Sequence, residues 1–159
     1  ERTITSFTFS KSYAMTGWRL GYAVAAEPWM TGLKKTTLYS SNGVSTPTQW
    51  AGLAALQLES SIIEENKNEY RRRRDLLLSG LNELGMSCEN PAGAFYAFPD
   101  VSRISSNSRD AAEILLNRAQ VAAVPGIVFG PHGENHLRFS FSTSVEVIEA
   151  GLESLRRNL

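Results

Sequence analysis

One cysteine, Cys88, and two histidines, His132 and His136, are all that this 159-residue chain offers in thiol and imidazole chemistry. A single thiol closes no internal disulfide, and no Cys or His cluster has metal-ligand spacing, so a reducing compartment is expected and neither histidine receives a role. Charge of one sign is lacking too. Sixteen Lys and Arg balance sixteen Asp and Glu, which removes the electrostatic footprint of a phosphate-backbone binder, and no nucleic-acid partner is expected. No apolar run approaches the ~18 residues of a membrane span. The opening residues, ERTITSFTFS, lack the charged-then-apolar layout of a signal peptide, so a cytoplasmic protein with no membrane partner is expected. Walker-type and dinucleotide glycine patterns are absent as well. The first residue is Glu1 rather than Met, as in a fragment or a processed product.

What remains is an ordinary globular composition, 42% hydrophobic and 20% charged, enough for one domain or one and a small fraction at about 150 residues each. Thr3 to Phe9 and Leu20 to Ala25 read as strands around a Ser/Gly-containing loop, SKSYAMTG. Helical spacing runs from Thr46 to Leu84, with Pro47 in the first turn, Gly85 at the end and a break expected near Glu59 to Ile62. Within it Arg71 to Arg74 follow Glu64, Glu65 and Glu69, a solvated face of paired charges. Further on, Gly93 to Phe98 reads as a strand and Ser108 to Ala119 as a helix capped by Ser108, followed by a short strand from Val121 to Val124. Leu137, Phe139 and Phe141 alternate with Arg138, Ser140 and Ser142, a period of two that turns the apolar set into a core. Ser144 then caps a terminal helix with Val147, Ile148, Gly151, Leu152 and Leu155 on one face. Three regions are expected: 1–59 as one body, a connecting long helix over 60–75, and a small α+β domain over 76–159. Phe95 and Tyr96 read as core aromatics, and Cys88 as an inert thiol on a strand edge.

Lys11 lies among the hydroxyls of Thr8, Ser10, Ser12, Tyr13 and Thr16, eight residues before Arg19. An arginine fork and hydroxyl donors can cradle an anion, and a lysine attacks a carbonyl through its neutral amine. By themselves these spacings fit a surface lysine far better, and Arg138 on an exposed strand face is better read as a surface arginine.

The wording of the segment Thr8 to Tyr22, TFSKSYAMTGWRLGY, closely resembles the cofactor-lysine motif of the class I/II aminotransferases, fold-type I pyridoxal-phosphate enzymes. The likeness continues through the long helix, GAFYAF before Pro99, the VPGIVFG turn and the LRFSFS strand. The implied fold class is therefore α/β, PLP-dependent transferase-like (fold type I): the carboxyl-terminal part of the large domain over 1–59, plus the small α+β domain. The resemblance implies that Lys11 forms a Schiff base with pyridoxal 5′-phosphate (PLP) and moves the substrate proton. Arg19 and Thr8, with Ser10 as a further candidate, would bind the phosphate, and Arg138 would grip the substrate α-carboxylate. Gly126 and Gly130 resemble a tight turn beside the substrate pocket.

The implied reaction moves an amino group from an amino acid to a 2-oxo acid, in a homodimer. In the family the acid that keeps the pyridine nitrogen protonated precedes the lysine, as do the ring-stacking aromatic and the glycine-rich phosphate turn. The ten residues before Lys11 contain only one acid, Glu1. The chain is thus expected to be a fragment with little turnover alone. Two other readings share these residues: a carbon–sulfur β-lyase of the same fold, and a non-catalytic aminotransferase-like binding domain. No second arginine occurs between Leu38 and Ala54 to hold a distal substrate carboxylate.

Overall fold

A computed structural model of the chain describes residues 2–159; Glu1, the acid that precedes Lys11, lies outside the described residues. Two compact units divide it, Glu1–Glu65 and Asn66–Leu159, and each is described by itself.

In the first unit, β1 (Ile4–Thr8) and β2 (Gly21–Ala25) pair antiparallel from Ile4↔Ala25 to Thr8↔Gly21. Phe7 and Tyr22, opposite each other, stack with centroids 4.8 Å apart, the cross-strand aromatic contact that stabilises such pairs. Two helices follow, α1 (Trp29–Ser41) and α2 (Thr46–Leu56). The pattern read from the sequence contains no counterpart of α1. Gly32 and the β-branched Thr31, Thr36 and Thr37 are poor helix formers, and no residue of α1 is buried, so no apolar stripe marks it. Its first turn is held by Glu27, whose carboxylate accepts the Thr31 N–H at 3.1 Å and the Thr31 hydroxyl at 2.6 Å.

The helix after α2, α3 (Ser60–Glu83), begins in the first unit and continues in the second. The expected break lies at residues 57–59, two or three residues earlier than read. There Gln57 and Leu58 donate to Ala54 and Ala55, the tightening that closes a last helical turn. The unit's small core holds Phe9, Met15 and Ala55, with Tyr13, Leu20 and Ala51 packed on it. Gly52 makes this possible, because a Cβ there would lie 2.4 Å from Leu20 Cδ2.

The second unit has a three-stranded antiparallel sheet in the order β3–β5–β4, formed by β3 (Tyr96–Ala97), β4 (Val124–Pro125) and β5 (Leu137–Ser140). Helices α3, α4 (Ser108–Ala119) and α5 (Val145–Asn158) supply the rest of the core: Leu77, Leu81, Ala111, Leu115, Leu152 and Leu155 meet Leu137, Phe139 and Phe141. The alternation in β5 is as expected, with Leu137 and Phe139 buried and Arg138 on the other face.

Several local readings are corrected. Strand β3 covers only Tyr96–Ala97, because Ala94 takes a left-handed φ of 62° that breaks the extended run. Val121 is no strand residue: its N–H donates to Leu115 and, with Gln120 at φ 57°, closes α4. The cap of α4 is Asn107, whose side chain accepts from Arg109 and Asp110 N–H, while Ser108 is fully buried. Ser144 does cap α5, accepting from Val147 N–H at 3.4 Å, but Val147 is 58% exposed and sits off the Ile148–Leu152–Leu155 stripe. The arginine run is a solvated face only at Arg71 and Arg72: Arg72 and Arg73 pair with Glu69 and Arg74 with Asp75, but Arg73 and Arg74 are half-buried, and Arg74 Nη1 also donates to the Pro91 carbonyl at 3.2 Å. No helix among the described residues is long and apolar enough to cross a membrane.

Candidate active site

The hairpin β1–β2 gathers four of the five candidate residues onto one loop. Thr8 ends β1, Ser10 and Lys11 follow in a turn, and Arg19 stands two residues before β2. The loop's base is closed by Phe9 N–H donating to Leu20 at 3.2 Å, and its turn by Tyr13 N–H to Phe9 and Ala14 N–H to Lys11, both 3.3 Å. Phe9 and Met15 insert into the small core against α2, which leaves the polar residues between and beside them outside: Thr8, Lys11 and Arg19 are exposed and Ser10 half-buried. The Thr8 hydroxyl accepts the Ser10 N–H at 3.1 Å and donates to Ser10 Oγ at 3.0 Å. Arg19 takes a left-handed φ of 53°, and its Nη1 donates to Thr16 at 2.8 Å, which orients the guanidinium and leaves its remaining donors outward. No ion-pair partner faces Arg19 among the described residues. Two cations and two hydroxyls on one exposed loop are a donor set whose chemistry suits a phosphate.

Arg138 belongs to the second unit, on the central strand β5 opposite Val124. Its Cζ lies 4.3 Å from the centroid of Tyr96 and 4.6 Å from that of Phe129. Tyr96 pairs with Ser140, so it is the diagonal neighbour of Arg138 on the same sheet face. This corrects the reading of Tyr96 as a core aromatic; Phe95 does pack on the core. Phe129 ends the 3-10 turn Gly126–Phe129. That turn sits tight on the loop before β5: a Cβ on Gly126 would lie 2.7 Å from the His136 carbonyl oxygen and closer still to that of Gly133. The expected tight turn at PGIVFG is present.

The other polar groups have structural settings. His136 donates its Nδ1–H to the Glu134 carbonyl, 2.9 Å away, and stacks on Phe98 at 5.1 Å. Glu134 accepts the Ser108 N–H, which holds its carboxyl below the usual range. Cys88 lies outside the strands, with burial pushing its thiol up and its Sγ donating to Glu89. No group of three metal-ligating side chains occurs among the described residues.

The sequence profile of the "Aminotransferase class I and II" family matches residues 1–155. The chain belongs to that family. Among its relatives, the aspartate aminotransferase of Pyrococcus abyssi is 41% identical over 162 aligned positions, which take in all of this chain and 41% of that protein. The aromatic-amino-acid aminotransferase 2 of Thermococcus litoralis is 38% identical, again over all of this chain and 41% of the relative. A crystal structure of an aromatic aminotransferase from Pyrococcus horikoshii superposes with a TM-score of 0.92 at 40% identity, covering 99% of this chain and 43% of that one. The chain therefore spans about two-fifths of the length of the relatives it matches, and its fold is that of the corresponding part of the α/β PLP-dependent aminotransferases. Pyridoxal 5′-phosphate is the cofactor that the family implies.

Neither ring is assigned to Arg138 from the sequence: Tyr96 reads there as a core aromatic, and Phe129 is not singled out. The signal for Tyr96 was its register against β5, and that for Phe129 was the pair of small residues that lets its turn approach the strand; neither shows without the fold.

Proposed function

We propose that this chain is the lysine- and arginine-bearing part of a PLP-dependent aminotransferase that moves an amino group from an amino acid to a 2-oxo acid. The observation that carries the reading is the hairpin loop, which sets Lys11, two hydroxyls and Arg19 on one small frame. Its donor set fits the cofactor, a phosphate that also bears an aldehyde. In this reading the first region, 1–59, is the cofactor-binding remnant of a large domain, 60–75 the connecting helix and 76–159 the small domain.

Bound PLP supplies an aldehyde that takes up the amino group and an electron-poor ring that spreads the charge left at the α-carbon. Arg19, with the Thr8 and Ser10 hydroxyls, holds the phosphate by charge-assisted hydrogen bonds. Lys11 would hold the cofactor through its aldehyde and, once released as a free amine by the substrate's amino group, would carry the proton that leaves the substrate α-carbon. Arg138 pairs with the α-carboxylate and fixes which substrate bond faces the base. The relatives are named for aspartate, prephenate or aromatic amino acids, and amino and 2-oxo acids of these kinds are the proposed substrates. The relatives' names give no support to a lyase.

The proposal extends to a cytoplasmic homodimer. For the compartment, support comes from the single half-buried thiol; the dimer is what the resemblance to the family implies.

The test is to add PLP, reduce with borohydride and map the adduct by mass spectrometry. The label is expected at Lys11 in preference to Lys34, Lys35 and Lys67 and is weakened by Arg19→Gln. Equal labelling of all four lysines would overturn the proposal.

A further inference from the structure

Arg138 is half-buried, yet its guanidinium has no hydrogen-bond or ion-pair partner among the described residues; its contacts are the two rings. None of its nitrogens is sealed off without a partner, so the N–H groups reach solvent. A guanidinium is weakly hydrated and rests on aromatic faces at little desolvation cost, while its in-plane N–H edge stays available. An acidic neighbour would have consumed that edge; two rings do not.

The rings are themselves held. Tyr96 is fixed by the pairing of β3 with β5. Phe129 rides on a turn tied at three points: Ile127 N–H donates to the buried Ser108 hydroxyl at 3.3 Å, Gly126 N–H to His136 at 2.9 Å, and Gly130 N–H to Ile127 at 3.1 Å. Behind it Phe98 meets Phe129 edge-on at 6.1 Å and stacks flat on His136. A long, flexible side chain thus rests between two rings whose backbones are pinned and which lean on Phe95 and Phe98, although Phe129 itself is 51% exposed.

We propose that Tyr96 and Phe129 are positioning residues that hold the Arg138 guanidinium as a preset, partly dried fork for a carboxylate. This rests on the reading of Arg138 as the carboxylate-binding group. The rings do not touch the carboxylate; they act by removing the conformations of Arg138 that cannot bind it and by thinning its water.

The experiment follows the Arg138 Nε–Hε resonance of the 159-residue chain by NMR during titration with sodium propanoate, with sodium chloride as the ionic-strength control. In the parent chain the Hε signal is expected upfield, shifted by ring currents, and moves saturably with propanoate but not with chloride. Tyr96→Phe and Phe129→Tyr, which keep a ring, retain both properties. Tyr96→Leu and Phe129→Leu lose the upfield displacement and weaken propanoate binding by about two- to fivefold each, the worth of one exposed cation–π contact. Amide spectra of Leu137 and Phe139 report whether the sheet is intact; where Tyr96→Leu disturbs it, Phe129→Leu, on an exposed turn, carries the test. If Arg138→Gln binds propanoate as well as the parent chain, or the parent shows no saturable shift, the carboxylate reading fails and the clamp with it. If Arg138→Gln loses binding while the leucine variants bind as tightly as their ring-keeping counterparts, the clamp alone is overturned.

Discussion

The two units differ in what fills them. In the second, fifteen buried apolar residues from three helices, the sheet and the loops beside them form one cluster. In the first, the cluster is Phe9, Met15 and Ala55, α1 buries nothing, and Ile4, Phe7, Tyr22 and Val24 on the two strands are exposed. A two-stranded ribbon is marginal in water without a packed face. Within this chain, which spans about two-fifths of its relatives' length, the two arginines assigned to anions have unequal supports: Arg138 stands on a filled core, whereas Arg19 and Lys11 stand on a loop pinned by two side chains. Opening of the first unit should therefore be easier than opening of the second.

The strongest challenge to that contrast is a core deletion. Leu81 is 0% exposed, and Leu81→Ala should cost about 2–5 kcal/mol, read from urea unfolding of the second unit. Met15→Ala should leave that transition in place while speeding amide exchange in the hairpin. If both variants instead shift one common transition, the units are not separate in stability. A smaller change sharpens the first unit's side. Gly52→Ala places a methyl against Leu20, and overpacking of this size costs about 1–3 kcal/mol, so the loop should lift from α2. Its expected readout is loss of the preference for Lys11 in PLP labelling, with unfolding of the second unit unchanged.

The smallest effect is the pH dependence. Hydrogen bonds hold the carboxyls of Asp100, Glu134 and Glu146 in the second unit, and Glu27 in the first, below their ordinary values. A carboxyl depressed in the folded state adds stability above its unfolded pKa, and that contribution fades as pH falls through the folded one. Acid below about pH 5 should thus lower the second unit's urea midpoint more steeply than the first's. Glu134→Gln should flatten that slope, because an amide oxygen still accepts the Ser108 N–H but no longer titrates.

Much of this was legible in the residues. Leu137, Phe139 and Phe141 announce β5 by strict alternation, and Ser144 before an apolar stripe announces α5. The hairpin and its lysine were readable because strand-forming runs flank a polar loop whose wording resembles a known cofactor motif. Helix α1 was invisible, since Thr and Gly say little when no face is buried. Ser108 misled because a serine at a helix start suggests a cap, while its hydroxyl turns inward to Ile127 and Asn107 caps instead. Val121 looked like strand, but its N–H was already spoken for by Leu115. In each case the deciding neighbour is distant in sequence or is a backbone group that carries no letter of its own.

The contact between Gly126 and Gly133 has a consequence for how this chain can vary. Because the two backbones meet with no room for a methyl on either, relief cannot come from changing one of the pair, and neither position is open to alanine. Ile127 and Val128 lie under no such restriction. Diversity in this turn should therefore gather in its middle, with its two ends acting as a fixed ruler for the height of Phe129 above the sheet.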